Sequence, residues 1–419
     1  MHIDSVKYLR TFEVNHMNQL TKFCYRIYQK LLYVAQFFLP INEPDIISGN
    51  TALNDLVLRI KNDHFSRVLI VSQIPIIDLE DVVNFIGLLK AELITVTLFK
   101  DTTSNPTILQ IETAKALYLD NQCQAIIAIG GGSAIDLAKG VGALIARPNK
   151  SLQQMKGILK VGKKIPMLYA VPTTSGTGSE ATLACVVTDS LTKEKYAIND
   201  PVLIPKVAVL DSRLTIGLPS HLTSTTGMDA LTHAIEAYIG QSNTKKTKRF
   251  ALEAIELIFG NLLKAYQNPT NLEYRNAMQL AAYKAGVAFT KAYVGNVHAI
   301  AHTLGGMYHV PHGLANAVIL PYILTFYGSK IDKKLAKLAK LTHISNPDLS
   351  IHDNALAFID EIKTMNKLMG IPSNFDGIIQ NDDLDIMVKR ALREANPLYP
   401  VPVIMDEKAF KRIYSLIQD

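Results

Sequence analysis

Apolar and polar positions follow three different rhythms along the chain. Residues 20–39 (LTKFCYRIYQKLLYVAQFFL) repeat at helical spacing, with Phe23, Ile27, Leu31 and Val34 on one face and Arg26 and Lys30 on the other. Pro40 ends the run. The pattern predicts a helix packed on the body or on a second subunit; a peripheral membrane contact is the alternative. From residue 67, apolar runs of strand length alternate with helical stretches. The strands are RVLIVSQ (67–73), ITVTLFK (94–100) and QAIIAIGGG (124–132), with helices over 78–92 and 108–120 between them. Two more runs follow, IPMLYAVP (165–172) and KVAVLD (206–211). That order is the signature of parallel βαβ units.

After Pro219 the period is helical almost throughout: 221–239, 248–266, 272–292, 296–306, 313–327, 351–370 and 383–395. The expectation is an extension over 1–42, an α/β domain over 43–213 and an all-helical domain over 214–419.

Composition narrows the function classes. Of 419 residues, 48% are hydrophobic and 19% charged, enough to fill cores and to exclude disorder as the dominant state. Lys plus Arg is 43 against 37 acidic residues, a net +6. Spread over this length, that is no nucleic-acid signature. The basic cluster Lys245, Lys246, Lys248, Arg249 reads as a solvated loop before a helix. Trp is absent, so stacking platforms for single strands are not expected. Three scattered cysteines, Cys24, Cys123 and Cys185, suggest a reducing compartment. No apolar run is long enough for a transmembrane helix, and Met1 to Asn18 lacks the order of a secretory leader. The cytoplasm is the expected address.

Two loops carry candidate chemistry. Gly130-Gly131-Gly132-Ser133 follows the strand QAIIAI and opens a helix. Glycines let the backbone approach a ligand, and a helix start presents unsatisfied N–H groups to an anion. The spacing is not GxGxxG, and on this loop alone a plain turn also stands. The second loop, VPTTSGTGSEAT (171–182), is rich in small hydroxyl side chains and also follows a strand. Two such loops at the carboxyl edge of a parallel sheet favour a nucleotide.

A third cluster is of metal-ligand type. In GMDALTHAIEAY (227–238), Asp229 and His233 are one helical turn apart. In NVHAIAHTLGGMYHVPHG (296–313), His298, His302, His309 and His312 crowd together, and Gly305-Gly306 is expected to break the helix. Up to three imidazoles plus one carboxylate suit Fe(II) or Zn(II) rather than calcium or magnesium.

Taken together, GGGSAIDLAK (130–139), PTTSGTGSEAT (172–182), DSRLTIGLP (211–219), GMDALTHAIEAY (227–238) and VHAIAHTLGGMYHVPHGLANAVILP (297–321) resemble the iron-containing, or group III, alcohol dehydrogenases. The resemblance spans roughly residues 43–419. It implies a Rossmann-like dinucleotide-binding domain followed by an all-helical metal domain, with the active site in the cleft between. It implies metal ligands at Asp229, His233, His298 and His312, and iron, with zinc as the alternative ion. His302 matches a position near substrate and nicotinamide and is the candidate proton carrier; His309 matches a structural position. Gly131, Gly132, Ser133, Asp136, Thr173, Thr174, Ser175, Gly176 and Thr177 would contact the dinucleotide, and Asn105 and Lys195 more distantly. The family often places an aspartate at position 73 to bond the adenosine ribose. Gln73 stands there, which removes repulsion of a 2′-phosphate and opens NADP beside NAD. The implied reaction is hydride transfer between the nicotinamide and a small primary alcohol or its aldehyde, in a homodimer. Alternatives are a dehydroquinate-synthase-like lyase and a non-catalytic metal and nucleotide binder.

Overall fold

A computed structural model describes residues 18–192 and 194–418. The segment 1–17, read above as lacking a leader, lies outside the described residues. The chain forms two compact units. Among the described residues, one comprises 39–218 and 268–290; the other comprises 18–38, 219–267 and 291–418.

The first unit is built on a parallel six-stranded sheet. Its strands are β1 (Asp45–Ser48), β2 (Arg67–Val71), β3 (Thr95–Phe99), β4 (Ala125–Gly130), β6 (Met167–Pro172) and β9 (Val207–Leu210). Their order across the sheet is β1-β9-β6-β4-β2-β3. Apolar residues on both faces explain why β2, β4, β6 and β9 read as unbroken apolar runs. Leu69, Val71, Ile126, Ala128, Leu168 and Ala170 enter one core; Val68, Ile70, Ile127, Ile129, Tyr169 and Val209 enter the other.

Sequence reasoning missed β1 and the Ala52–Asn62 helix after it. It also missed a hairpin, β7 (Ala184–Asp189) and β8 (Glu194–Asn199), which with β5 (Gly157–Ile158) forms a second sheet. Burial alternates without a break along β7, but the buried positions are Cys185, Val187 and Asp189, so an acid stands where an apolar residue would have completed the pattern. The Leu272–Ala292 helix was assigned to the helical domain, yet all but its end groups with the α/β unit. Gln279 Nε2 there donates to the Pro172 carbonyl at the end of β6 at 2.9 Å.

The second unit is helical, as expected. Its principal members are Ser220–Ile239, Lys245–Gln267, Asn296–Tyr308, His312–Tyr327, Ile351–Leu368 and Leu384–Ala395. Asp332–Leu341 and Glu407–Gln418 were not anticipated. The basic cluster from Lys245 is the exposed first turn of a helix rather than a loop. The N-terminal helix forms over Gln19–Ala35 but docks the opposite way round from its pattern. Phe23 (62% exposed) and Leu31 (64%) face out, while Gln29 is 4% exposed. Among the described residues, no helix is long and apolar enough to cross a membrane.

Candidate metal centre and nucleotide loops

The Ser220–Ile239 helix starts directly after Pro219 and is buried over almost its whole second half. Helical spacing puts Asp229, His233 and Glu236 on one stripe, at i, i+4 and i+7. A second helix, Asn296–Tyr308, supplies His298. A third, His312–Tyr327, supplies His312 from its first residue, immediately after Pro311. Gly305 and Gly306 do not break the second helix. It runs on to Tyr308 and ends at His309, whose left-handed backbone (φ 56°) caps it. His309 is exposed and stands outside the cluster.

Asp229, His233, His298 and His312 each offer a ligand atom, all within 4.8 Å of one another. Their convergence is marked by Asn316, one turn after His312. Its amide nitrogen lies 2.6 Å from Asp229 Oδ1, 3.1 Å from His312 Nε2 and 3.2 Å from His298 Nε2. Two amide protons cannot serve three acceptors fully, and Asn316 Oδ1, fully buried, has no hydrogen-bond partner among the described residues. Three acceptor atoms aimed at one point form the donor set a divalent cation requires. One carboxylate and three imidazoles fit Fe(II) or Zn(II).

Behind His298 stands Glu236, which sequence reasoning missed. Its Oε2 lies 2.6 Å from His298 Nδ1 and accepts the Gly295 N–H at 2.7 Å; Oε1 accepts the Val297 N–H at 2.9 Å. Burial pushes the Glu236 carboxyl up, to about 8, against the pull of those N–H donors. Burial, with the neighbouring His233, His312 and His302 rings, pushes His298 well below the usual imidazole range. His298 is therefore neutral, the form that binds a metal, with Nδ1 engaged and Nε2 left toward Asn316. The i+3 spacing from His233 was the signal that could have found Glu236.

His302 lies beside this cluster. Its ring stacks on His312 with centroids 5.1 Å apart, and its Nδ1 lies 2.6 Å from Glu394 Oε1. Its side chain is 40% exposed. Glu394 sits on the facing Leu384–Ala395 helix and also accepts the Tyr399 hydroxyl at 2.7 Å.

In the α/β unit, Gly130 and Pro172 are paired across β4 and β6, so the two loops leave the sheet side by side. A Cβ on Gly132 would lie 2.7 Å from Thr177 Oγ1, so only glycine permits this approach. The strand order reverses direction between β2 and β4, and ligands bind outside the carboxyl ends at such a switch point. Gln73 follows β2 and Gly131 to Ser133 follow β4, so they flank that point. Ser133 Oγ donates to the Ser104 carbonyl at 2.7 Å, and Lys195 Nζ donates to Asn105 Oδ1 at 3.1 Å, drawing the loop after β3 toward the others. Thr173 and Ser175 are buried, whereas Thr174 and Thr177 are partly exposed. Asp136 is buried, with Oδ2 accepting the Val186 N–H at 3.1 Å and Oδ1 without a hydrogen-bond partner among the described residues.

Comparison with known proteins decides the family. Residues 43–212 match the iron-containing alcohol dehydrogenase model, and residues 223–417 match the C-terminal model of the Fe-containing alcohol dehydrogenase family. The chain belongs to the iron-containing alcohol dehydrogenase family. It is 33% identical over 365 residues to the NAD-dependent methanol dehydrogenase of Bacillus methanolicus, covering 86% of this chain and 94% of that one. It is 36% identical over 318 residues to the NADPH-dependent butanol dehydrogenase of Clostridium saccharobutylicum, covering 74% and 81%. Among solved structures, a 1,3-propanediol oxidoreductase superposes with TM-score 0.85 at 33% identity, over 90% of this chain and 99% of the other. This dehydrogenase is thus a metal-dependent oxidoreductase that works between alcohols or aldehydes and NAD(H). The comparisons bring no support for the lyase or the non-catalytic binder.

Proposed function

We propose that this dehydrogenase interconverts a small primary alcohol and its aldehyde with iron held by Asp229, His233, His298 and His312. The observation that carries the reading is the meeting of Asp229 Oδ1, His298 Nε2 and His312 Nε2 on one point, occupied by the Asn316 amide. When bound, the ion supplies a Lewis acid for the substrate oxygen, and the nicotinamide supplies or accepts hydride. Glu236 holds His298 in the tautomer that leaves Nε2 free as a donor. His302 takes up the hydroxyl proton on Nε2 and passes it to solvent, which its exposed ring permits. Glu394 fixes the ring through Nδ1, as an acid orients a catalytic imidazole.

For the dinucleotide, the N–H groups at the start of the Gly132–Ala146 helix take the pyrophosphate. Gly131 and Gly132 allow its approach, and Ser133, Thr173, Thr174, Ser175, Gly176 and Thr177 supply hydroxyls and open backbone. Asp136 Oδ1, which has the Lys139 ammonium 3.9 Å away but no hydrogen bond of its own among the described residues, is an acceptor for a donor on the same ligand. Asn105 and Lys195 contribute from the loop edge. Gln73 accepts both NAD and NADP, with NAD slightly favoured. Two related expectations belong here: a cytoplasmic enzyme, which suits three unbridged thiols, and a homodimer, which sedimentation would test. The test of the whole reading is a panel of alcohols and aldehydes with iron-loaded protein and each cofactor. Turnover of short primary alcohols is expected; activity confined to secondary alcohols would contradict it.

A further inference from the structure

The Gln19–Ala35 helix lies before both matched family segments, the first of which begins at residue 43. It has no ligand or metal residue of its own. Its docking is nonetheless built with polar contacts from the buried Gln29 and the half-buried Arg26, not with its apolar stripe. Gln29 Nε2 donates to the carbonyls of Pro397 at 3.0 Å and Tyr399 at 2.8 Å. Arg26 donates to the carbonyls of Val401 at 2.7 Å and Pro402 at 3.0 Å, and braces Gln29 Oε1 at 2.8 Å. Two side chains thus hold four carbonyls of one loop. Each is a hydrogen bond that would otherwise have to be found in water.

That loop leads to the catalytic histidine. Tyr399 has its backbone carbonyl held by Gln29, and its hydroxyl donates to Glu394 Oε1 at 2.7 Å. The same oxygen lies 2.6 Å from His302 Nδ1. Tyr399 is 8% exposed, so its ring has little room to adjust if its backbone shifts. The other edge of the loop is anchored separately, by the Gln241 N–H to the Pro400 carbonyl at 2.8 Å. The Tyr399 N–H donates to the Ala395 carbonyl at 2.8 Å, and the N-terminal helix holds the carbonyl side of the same residue, so the two together set where the Tyr399 hydroxyl falls.

We propose that Arg26 and Gln29 are positioning residues, through which the N-terminal helix clamps loop 397–402 so that Tyr399 and Glu394 hold the His302 ring for proton transfer. The proposal rests on the reading of His302 as the proton carrier. It gives the extension a task in the reaction without placing it against substrate or cofactor.

The experiment uses full-length, iron-loaded protein in four forms: Arg26→Ala with Gln29→Ala, Tyr399→Phe, all three changes together, and His302→Ala. Iron content, cofactor affinity, kcat and KM are measured for each. The clamp variant is expected to lose roughly tenfold in kcat, the usual scale for removing support behind a site residue, with iron content, cofactor affinity and KM unchanged. Because clamp and tyrosine act through one chain, the triple variant should lose no more than the worse of the two. Multiplied losses, or a clamp variant with full kcat, would overturn the proposal. If the clamp variant does not fold, Gln29→Met, which keeps the length and removes both donors, must show the same pattern. A His302→Ala variant with full kcat would instead remove the reading of His302, and the proposal with it. His302→Ala slow and clamp variant fast would leave that reading standing and sink the clamp alone.

Discussion

At the scale of single residues, the centre depends on atoms that hold the ligands as much as on the ligands. Gly295 shows how narrow the tolerance is. A Cβ at that position would lie 2.6 Å from Glu236 Oε1, inside any real contact distance. Gly295→Ala should displace Glu236 from His298 and weaken iron binding by roughly ten- to a hundredfold, the scale seen for partners of metal ligands. Equilibrium dialysis against a competing chelator reads this directly. Gln73 is the residue that tests cofactor choice. Gln73→Asp restores a charge that repels a 2′-phosphate, so catalytic efficiency with NADPH should fall far more than with NADH. Equal losses with both would show that residue 73 does not face the ribose. Glu180 in the threonine loop makes a different kind of prediction. Burial raises its carboxyl from 4.5 to about 7. The folded state therefore holds its proton where the unfolded chain has released it. The stability it contributes is whole below pH 4.5 and is lost as pH rises through 7. Glu180→Gln should flatten part of that decline in denaturant melts across this range; Asp136, raised to about 6, and Glu236, raised to about 8, both by burial, continue to contribute to it.

Spacing made the cluster legible only in outline: Asp229 and His233 stand one turn apart and four histidines crowd 298–312, while the choice of His298 and His312 among them came from the family resemblance. Asn316, Glu236 and Glu394 were not sought in the same way. Glu236 and Asn316 each stand one turn from a cluster histidine, but their partners His298 and Asp229 are 62 and 87 residues away, and Glu394 meets His302 across 92 residues, so local spacing alone does not show what they hold.

At the scale of elements, the glycine helix Gly132–Ala146 is fixed by a cation in its interior. Lys139 is fully buried and donates to the Thr182 carbonyl at 2.9 Å, the Thr182 hydroxyl at 3.0 Å and the Ala184 carbonyl at 2.7 Å. It joins the helix that begins at the glycine loop to the end of the threonine loop. Lys139→Met leaves those acceptors unpaired and should cost about 3 kcal/mol in unfolding free energy. Chemical denaturation checks this, and a cost near zero would show that water replaces the ammonium. The strands of the main sheet were legible because full burial makes them continuous apolar runs. The β7–β8 hairpin was not, because its faces mix Thr, Lys and Glu with Val and Ile. The N-terminal helix was legible from its period, but the face that docks on this chain was not. Gln29 and Arg26 satisfy four carbonyls and decide the docking within this chain, which leaves the apolar face outward, as a helix packed on a second subunit would present it.

At the scale of the whole molecule, two units divide the chemistry. The α/β unit carries the glycine and threonine loops at a strand-order switch, and the helical unit carries the metal-ligand cluster and His302. The division does not follow the chain simply, because residues 268–290 return to the α/β unit. A single cut near 213 could not express that, since periodicity identifies a helix but not its neighbours. The central claim is that Asp229, His233, His298 and His312 together hold the ion on which turnover depends. The most direct measurement is metal content per chain by mass spectrometry, on anaerobically iron-loaded and then desalted wild type and His298→Ala. About one iron per wild-type chain, and close to none in His298→Ala with its fold intact by circular dichroism, is the expected result. A full equivalent of iron retained by His298→Ala would contradict the account.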